Sequence, residues 1–238
     1  MSATEESIQV WIVSMIGQNA EDWRSVLSAG EWEKAMRFRM PADQKRSAVT
    51  RGVLRTLLGG YLGCAAVEIQ FTETGHGKYS IPDARIEFNV SHSGDYALLA
   101  FARESPVGVD VERIASDRVV SELARRVLTP SEHERFMALP EGDRRRAFFE
   151  IWTLKESLLK GIGSGLSIPP ECLEIAFYPN APELLTASTD QITDVREWTL
   201  ASLSIGHEDY AAAIAVKHRS PKIEIKRFDT MNTREHEF

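Results

Sequence analysis

Three stretches of this chain carry residues whose types and spacing could do chemistry. In Gly108-Val109-Asp110-Val111-Glu112 the two carboxylates lie two residues apart. An extended strand would aim both at one face and turn Val109 and Val111 toward the core. Adjacent carboxylates repel unless a cation lies between them, and a hard divalent ion such as Mg²⁺ takes oxygen ligands. An edge strand with a solvated polar face fits the same alternation. In Trp152-Thr153-Leu154-Lys155-Glu156-Ser157-Leu158-Leu159-Lys160, Glu156 and Lys160 share a helix face with Trp152, each one turn apart. On a surface such a pair stabilises a helix by only roughly 0.3–0.5 kcal/mol. Trp152, Leu158 and Leu159 argue instead for a largely buried helix, where charges need partners or a task. The third stretch, Asn89-Val90-Ser91-His92-Ser93-Gly94, offers hydroxyls, an imidazole and backbone N–H groups, a set suited to phosphate oxygens. An ordinary turn histidine accounts for the same residues. No G-x-S-x-G elbow, Walker loop or kinase glycine-rich loop is present. A carboxylate pair, a Lys-Glu helix and a polar loop together point to polyphosphate chemistry, because metal ions and lysines neutralise phosphate oxygens.

The elements that must position these residues follow from periodicity. A first strand is expected over 8–14 and a helix start at Asn19, before Glu21 and Asp22. The spacing predicts a helix over 41–62: Val49, Val53, Leu57 and Tyr61 form a stripe, Leu54, Leu58 and Leu62 widen it, and Gly63 stops it. Short strands follow over 67–72, 86–90, 96–102 and 107–111, with Gly75 and Gly77 in the turn between the first two. Thr129-Pro130-Ser131-Glu132 is a capping box with proline at the first helical position. A long helix is expected over about 143–160, ended by Gly161, and strands over 173–178, 196–205 and 210–216. The chain from 219 to 238 is polar and reads as a tail. Asp95-Tyr96-Ala97-Leu98-Leu99-Ala100-Phe101-Ala102 echoes Asp209-Tyr210-Ala211-Ala212-Ala213-Ile214-Ala215-Val216. The echo suggests two related α+β halves joined near Ser105-Pro106, although two unrelated hairpins could share such a pattern.

Composition sets outer bounds. The chain has 238 residues, of which 43% are hydrophobic and 26% charged, an ordinary globular balance. A net charge of -7 argues against general nucleic-acid binding. Cys64 and Cys172 stand in no metal-like spacing, which fits a reducing cytoplasm. No signal peptide is read at the start, and no apolar run is long enough to span a membrane.

The ordered set of motifs resembles the 4′-phosphopantetheinyl transferases of the surfactin-synthetase type. The strings that carry the resemblance are Phe88-Asn89-Val90-Ser91-His92-Ser93-Gly94, Val107-Gly108-Val109-Asp110-Val111-Glu112, and the stretch from Phe149 to Leu166, with Lys155, Glu156 and Lys160 inside it. The similarity spans about 37–168. It implies a monomeric α+β enzyme of two similar halves (1–105 and 106–218) related by a pseudo-twofold, each a small, mainly antiparallel sheet packed with helices, followed by a tail at 219–238. It implies transfer of the phosphopantetheine arm of coenzyme A to a serine of an acyl or peptidyl carrier protein. By position, Asp110, Glu112 and Glu156 are similar to the family's Mg²⁺ ligands. Arg46, Ser47, Lys78, Ser91, His92, Lys155 and Lys160 match its coenzyme contacts, with Glu156, Lys160 and Asp110 in catalytic roles. The family's usual Gly-Lys-Pro is Gly77-Lys78-Tyr79 here, and Glu31 stands where some members carry lysine. Carrier docking has two candidate basic clusters: Arg113, Arg118, Arg125 and Arg126, and the run Arg144-Arg145-Arg146. A non-catalytic coenzyme A-binding protein, or another Mg²⁺-dependent phosphate-transfer enzyme, is the alternative.

Overall fold

The strands of this chain turn alternate residues to opposite faces, and two packed sheets use both faces. The structure, a computed structural model, describes residues 7–73, 78–114, 120–163, 167–177 and 181–229. In chain order the elements are β1 (Ser7–Ser14), α1 (Ala29–Met36), α2 (Pro41–Leu62), β2 (Thr72–Glu73), β3 (Tyr79–Ser80), β4 (Glu87–Ser93), β5 (Tyr96–Ala102) and β6 (Val107–Arg113). They continue with α3 (Val120–Val127), α4 (Pro130–Ala138), α5 (Glu141–Ile162), β7 (Leu173–Ala176), β8 (Glu183–Ala187), β9 (Thr199–Ser202), β10 (Tyr210–Val216) and β11 (Lys222–Phe228). One sheet has the order β11-β1-β5-β4, and a second has the order β6-β10-β9. The echoed segments are the interior strands of these sheets: β5 lies between β1 and β4, and β10 between β6 and β9. Strands covered on both faces need continuous apolar runs, which both supply.

The alternation sorts these residues into layers. Ile8, Val10 and Ile12 of β1, Leu98 and Ala100 of β5, Val107, Val109 and Val111 of β6, and Ala212 and Ile214 of β10 form one core between the sheets. The opposite face of β5, with Ala97, Leu99 and Phe101, packs on Val49, Val53, Leu54 and Leu58 of α2. The outer face of β10, with Ala213 and Ala215, packs on Leu154, Leu158 and Leu159 of α5. Helix, sheet, sheet, helix is therefore the stacking order, an α+β architecture, and the two long helices lie on the outside.

Several elements differ from the sequence reading. The strand expected over 67–72 is a short 3-10 turn at Ala66–Glu68, where Glu68 caps the Ala65 amide, and pairing is limited to Thr72 and Glu73. Gly75 and Gly77 lie outside the described residues. The helix expected to start at Asn19 is a three-residue 3-10 turn, Glu21–Trp23. Gly63 does end α2, in the left-handed conformation at φ 68°. Gly161 does not end α5; Gly163 does, at φ 76°. Gly161 serves packing instead, because a Cβ there would meet the Trp198 ring at 2.9 Å. The sequence reading also passed over β8, which pairs with β7.

The polar segment from 219 is the largest correction. Within it, β11 pairs in parallel with β1, with Ile8 opposite Ile223 and Val13 opposite Phe228. Ile223 joins the core between the sheets, and the Phe228 ring lies 6.2 Å from Trp11 and 6.1 Å from Trp23. Arg227 also donates to the Ile205 carbonyl, just beyond β9, at 2.7 Å. Lys222, Lys226 and Glu224 give β11 the charged outer edge that discourages further pairing. Residues 230–238 lie outside the described residues. Truncation after His218 is expected to bare the β1 edge and release Phe228. The expected cost is about 2 kcal/mol or more, read by calorimetry as a drop in Tm of about 5 °C or more.

Candidate active site

The two sheets meet along β4 and β6 without a backbone ladder. Side chains of β4 take its place. Asn89 Oδ1 accepts from the Val109 amide at 3.0 Å, Ser91 Oγ from the Val111 amide at 3.4 Å, and Ser93 Oγ from the Arg113 amide at 3.1 Å. Successive odd residues of one strand thus satisfy successive odd amides of the other, as the two-residue repeat requires. The same hydroxyls donate to the carboxylates standing between those amides. Ser91 Oγ reaches Asp110 Oδ1 at 2.8 Å, and Ser93 Oγ reaches Glu112 Oε2 at 2.9 Å. The seam therefore aims both carboxylates as it joins the sheets.

Helix α5 closes the site from the other side. Gly108 of β6 has no room for a side chain, since a Cβ would come within 2.0 Å of the Ser157 carbonyl and 2.3 Å of the Gly161 amide. This backbone-to-backbone approach brings α5 onto β6. Lys160 Nζ then donates to Asp110 Oδ1 at 2.6 Å and to Ser91 Oγ at 3.0 Å. Asp110 is 3% exposed, and its second oxygen, Oδ2, is buried with no hydrogen-bond partner among the described residues. Burial pushes the Glu156 carboxyl above its ordinary range, and the charges of Asp110 and Glu112 push the same way against Lys160.

Among the described residues no three His, Cys, Asp or Glu side chains stand as a ready metal cluster. Asp110, Glu112 and Glu156 nevertheless suit Mg²⁺. That ion is usually held by one or two carboxylates and completed by substrate phosphates and water. A buried carboxylate oxygen without a donor, beside two further carboxylates, is the donor set it needs.

Next to these carboxylates opens a cavity of about 380 Å³ lined by Ser47, Arg51, Lys78, Tyr79, Asn89, His92 and Lys160, among others. Ser47, Lys78, His92 and Lys160 of the expected coenzyme contacts thus face one space. Arg46 lies beside it, donating to the Gly94 carbonyl at 3.2 Å and pairing with Asp43. His92 opens to solvent at this edge, yet the surrounding protein lowers its affinity for a proton, and Arg46 and Lys160 add to that. Ser91 does not line the cavity; its hydroxyl is engaged with Asp110, Lys160 and β6. Lys155 is elsewhere altogether, fully buried against Glu132 at 2.6 Å. Of the basic clusters, Arg144 is spent on the Leu139 and Met137 carbonyls and Arg146 on the Glu208 carbonyl. Arg113, Arg125 and Arg126 are exposed, and Arg118 lies outside the described residues.

The sequence reading missed Arg51, and it quoted Asn89 within its stretch without giving it a role. Arg51 lies over the Phe71 ring at 3.7 Å and the Tyr79 ring at 4.3 Å, and Glu31 holds it at 2.5 Å. Glu31 also binds Arg55 at 2.7 Å and caps α1 through the Ser28 amide. Burial raises its proton affinity, but the bonds from Arg55, Ser28 and Arg51 outweigh this and hold the carboxyl below its ordinary 4.5. Glu31 thus anchors a guanidinium at the cavity wall. Only Arg51's place one helical turn after Ser47 could have signalled it.

These residues bring basic side chains and a carboxylate group together around one cavity. The chain matches the 4'-phosphopantetheinyl transferase superfamily over 106–215 and the N-terminal region of 4'-phosphopantetheinyl transferases over 18–104. It is 31% identical to the 4'-phosphopantetheinyl transferase HetI of Nostoc sp. over 91% of this chain and 90% of that protein. It is 28% identical to the 4'-phosphopantetheinyl transferase Sfp of Bacillus subtilis over 66% of this chain and 70% of that one. A solved holo-[acyl-carrier-protein] synthase of Thermotoga maritima is 24% identical over 48% of this chain and 64% of that chain, with a TM-score of 0.38. The chain belongs to the 4'-phosphopantetheinyl transferase family. Among the described residues no helix is long and apolar enough to cross a membrane.

Two substitutions test this construction. Gly108→Ala forces β6 away from α5, since the obstacle is backbone that cannot give. The expected result is a loss of about 1–3 kcal/mol in denaturant unfolding, accompanied by loss of transfer. Glu31→Gln removes a carboxylate whose proton affinity is depressed in the folded state. Its contribution is complete above its ordinary 4.5 and drains away as pH falls below that value. The gap in Tm between wild type and variant is therefore expected to be widest near neutral pH, worth about 1–3 kcal/mol, and to narrow in acid.

Proposed function

We propose that this enzyme moves the 4′-phosphopantetheine arm of coenzyme A onto a serine of an acyl or peptidyl carrier protein, with Mg²⁺ held by Asp110, Glu112 and Glu156. The observation that carries the reading is Lys160, whose ammonium binds Asp110 at 2.6 Å and also lines the cavity. A group that touches both can serve an anion bridging the two. In this reading the diphosphate lies against Lys160 and the carboxylates, and the nucleotide end extends toward Ser47, Lys78, His92 and Arg46. Mg²⁺, when bound, would neutralise diphosphate oxygens and make phosphorus more electrophilic.

The chain's own residues do the rest. The carrier serine hydroxyl is a weak nucleophile until its proton is taken. Glu156, which stands beside Asp110 and Glu112, is the proposed acceptor of that proton. The serine oxygen bonds to the phosphorus on the pantetheine side, the bridging P–O bond breaks, and adenosine 3′,5′-bisphosphate departs. Lys160 stabilises charge on the departing phosphate. Ser91 and Ser93 hold Asp110 and Glu112 in place.

Incubation with coenzyme A, Mg²⁺ and an apo-carrier tests the proposal by intact mass. One phosphopantetheinyl group per carrier and an equal yield of adenosine bisphosphate are expected; hydrolysis of coenzyme A with an unmodified carrier would refute it. Asp110→Ala and Glu156→Ala should remain folded by circular dichroism and lose on the order of 10²–10³-fold in kcat. Near-normal transfer by both would remove them from the mechanism.

A further inference from the structure

Lys155 sits in the middle of the sequence that supplies Glu156 and Lys160, yet its side chain points away from them. On a helix it lies about 100° and 140° around the axis from those two residues. Its relative exposure is 0%, as is that of Glu132. Its ammonium donates to the Val127 carbonyl at 2.8 Å, to Glu132 Oε2 at 2.6 Å and to the Pro170 carbonyl at 3.0 Å. A lysine has three N–H donors, so none is left for a ligand.

Glu132 is equally engaged. Its Oε2 also accepts from the Thr129 amide at 2.8 Å, and its Oε1 accepts from the Ile175 amide of β7 at 2.7 Å. The end of α3, the start of α4, the turn before β7 and β7 itself therefore converge on one point of α5. A slide of α5 by one residue, about 1.5 Å, or a modest rotation would break this set and leave two buried charges unpaired.

We infer that the Lys155–Glu132 pair is a positioning device that fixes the axial and rotational setting of α5, and through it the placement of Glu156 and Lys160 against Asp110. The inference rests on the roles proposed above for Glu156 and Lys160, and it takes Lys155 out of the coenzyme-binding set. Because the reaction depends on geometry near 1 Å, misplacement of this order lowers turnover by about tenfold to a hundredfold.

The test compares wild type with Lys155→Met, Glu132→Gln and the double variant Lys155→Met/Glu132→Met. Transfer from coenzyme A to an apo-carrier is measured well below each Tm and expressed per folded molecule. Coenzyme affinity is measured separately by calorimetry. The expected result is kcat lowered about tenfold or more in all three, with the Kd for coenzyme A within about threefold of wild type. The double variant, with no unpaired buried charge, is expected to regain Tm relative to the single variants without regaining kcat. A Kd raised tenfold or more would restore Lys155 to the coenzyme site and overturn the inference. Recovery of kcat together with Tm would show a role in stability alone and overturn it equally. Absence of transfer by wild type would refute the proposed function itself, whereas normal kcat in the variants would refute only the positioning role.

Discussion

The seam between β4 and β6 is the constraint on which the site depends. Two sheets with separate backbone ladders must meet, and the amides of Val109, Val111 and Arg113 face the neighbouring strand with no carbonyl ladder to receive them. Buried amides left unpaired are costly. Asn89, Ser91 and Ser93 supply the acceptors, and the two hydroxyls also donate to Asp110 and Glu112. One set of short polar side chains thus satisfies the joint and orients the acids. Replacing either hydroxyl with an apolar group would unsettle both at once.

Charge is gathered at this seam under close control. Asp110 is nearly buried, and a buried carboxylate needs donors and positive charge nearby. Ser91 and Lys160 provide them, although Oδ2 keeps no donor among the described residues. Glu156 has less compensation and accordingly a raised proton affinity. The close contact of Gly108 with α5 keeps these groups near one another, since any side chain there would separate strand and helix.

The lysines of α5 show how one motif divides between two tasks. Lys160 faces the cavity, is 30% exposed along its side chain and reaches Asp110. Lys155 faces the opposite direction and is sealed within α3, α4 and the segment before β7. Burying an ion pair seldom adds net stability over an apolar alternative. Its value here is directional: hydrogen bonds fix an orientation that apolar packing alone leaves looser.

Local pattern alone determined much of this protein. The two-residue repeat put Asp110 and Glu112 on one face with Val109 and Val111 in the core, four-residue spacing marked α2 and α5, and the capping box at Thr129 marked the start of α4. These features are legible because they arise from contacts between residues near in the chain. The tertiary structure decided what lies across long separations. Lys155 meets Glu132, Arg51 meets Glu31, and Ser91 is drawn from the cavity to Asp110. The segment beyond 219 becomes a strand only because the edge of β1 is open to receive it. Alternating charge and isoleucine reads as a solvated tail until a partner strand exists. A side chain's type and local spacing state what it can bind, and only the packing of distant elements selects which partner it meets.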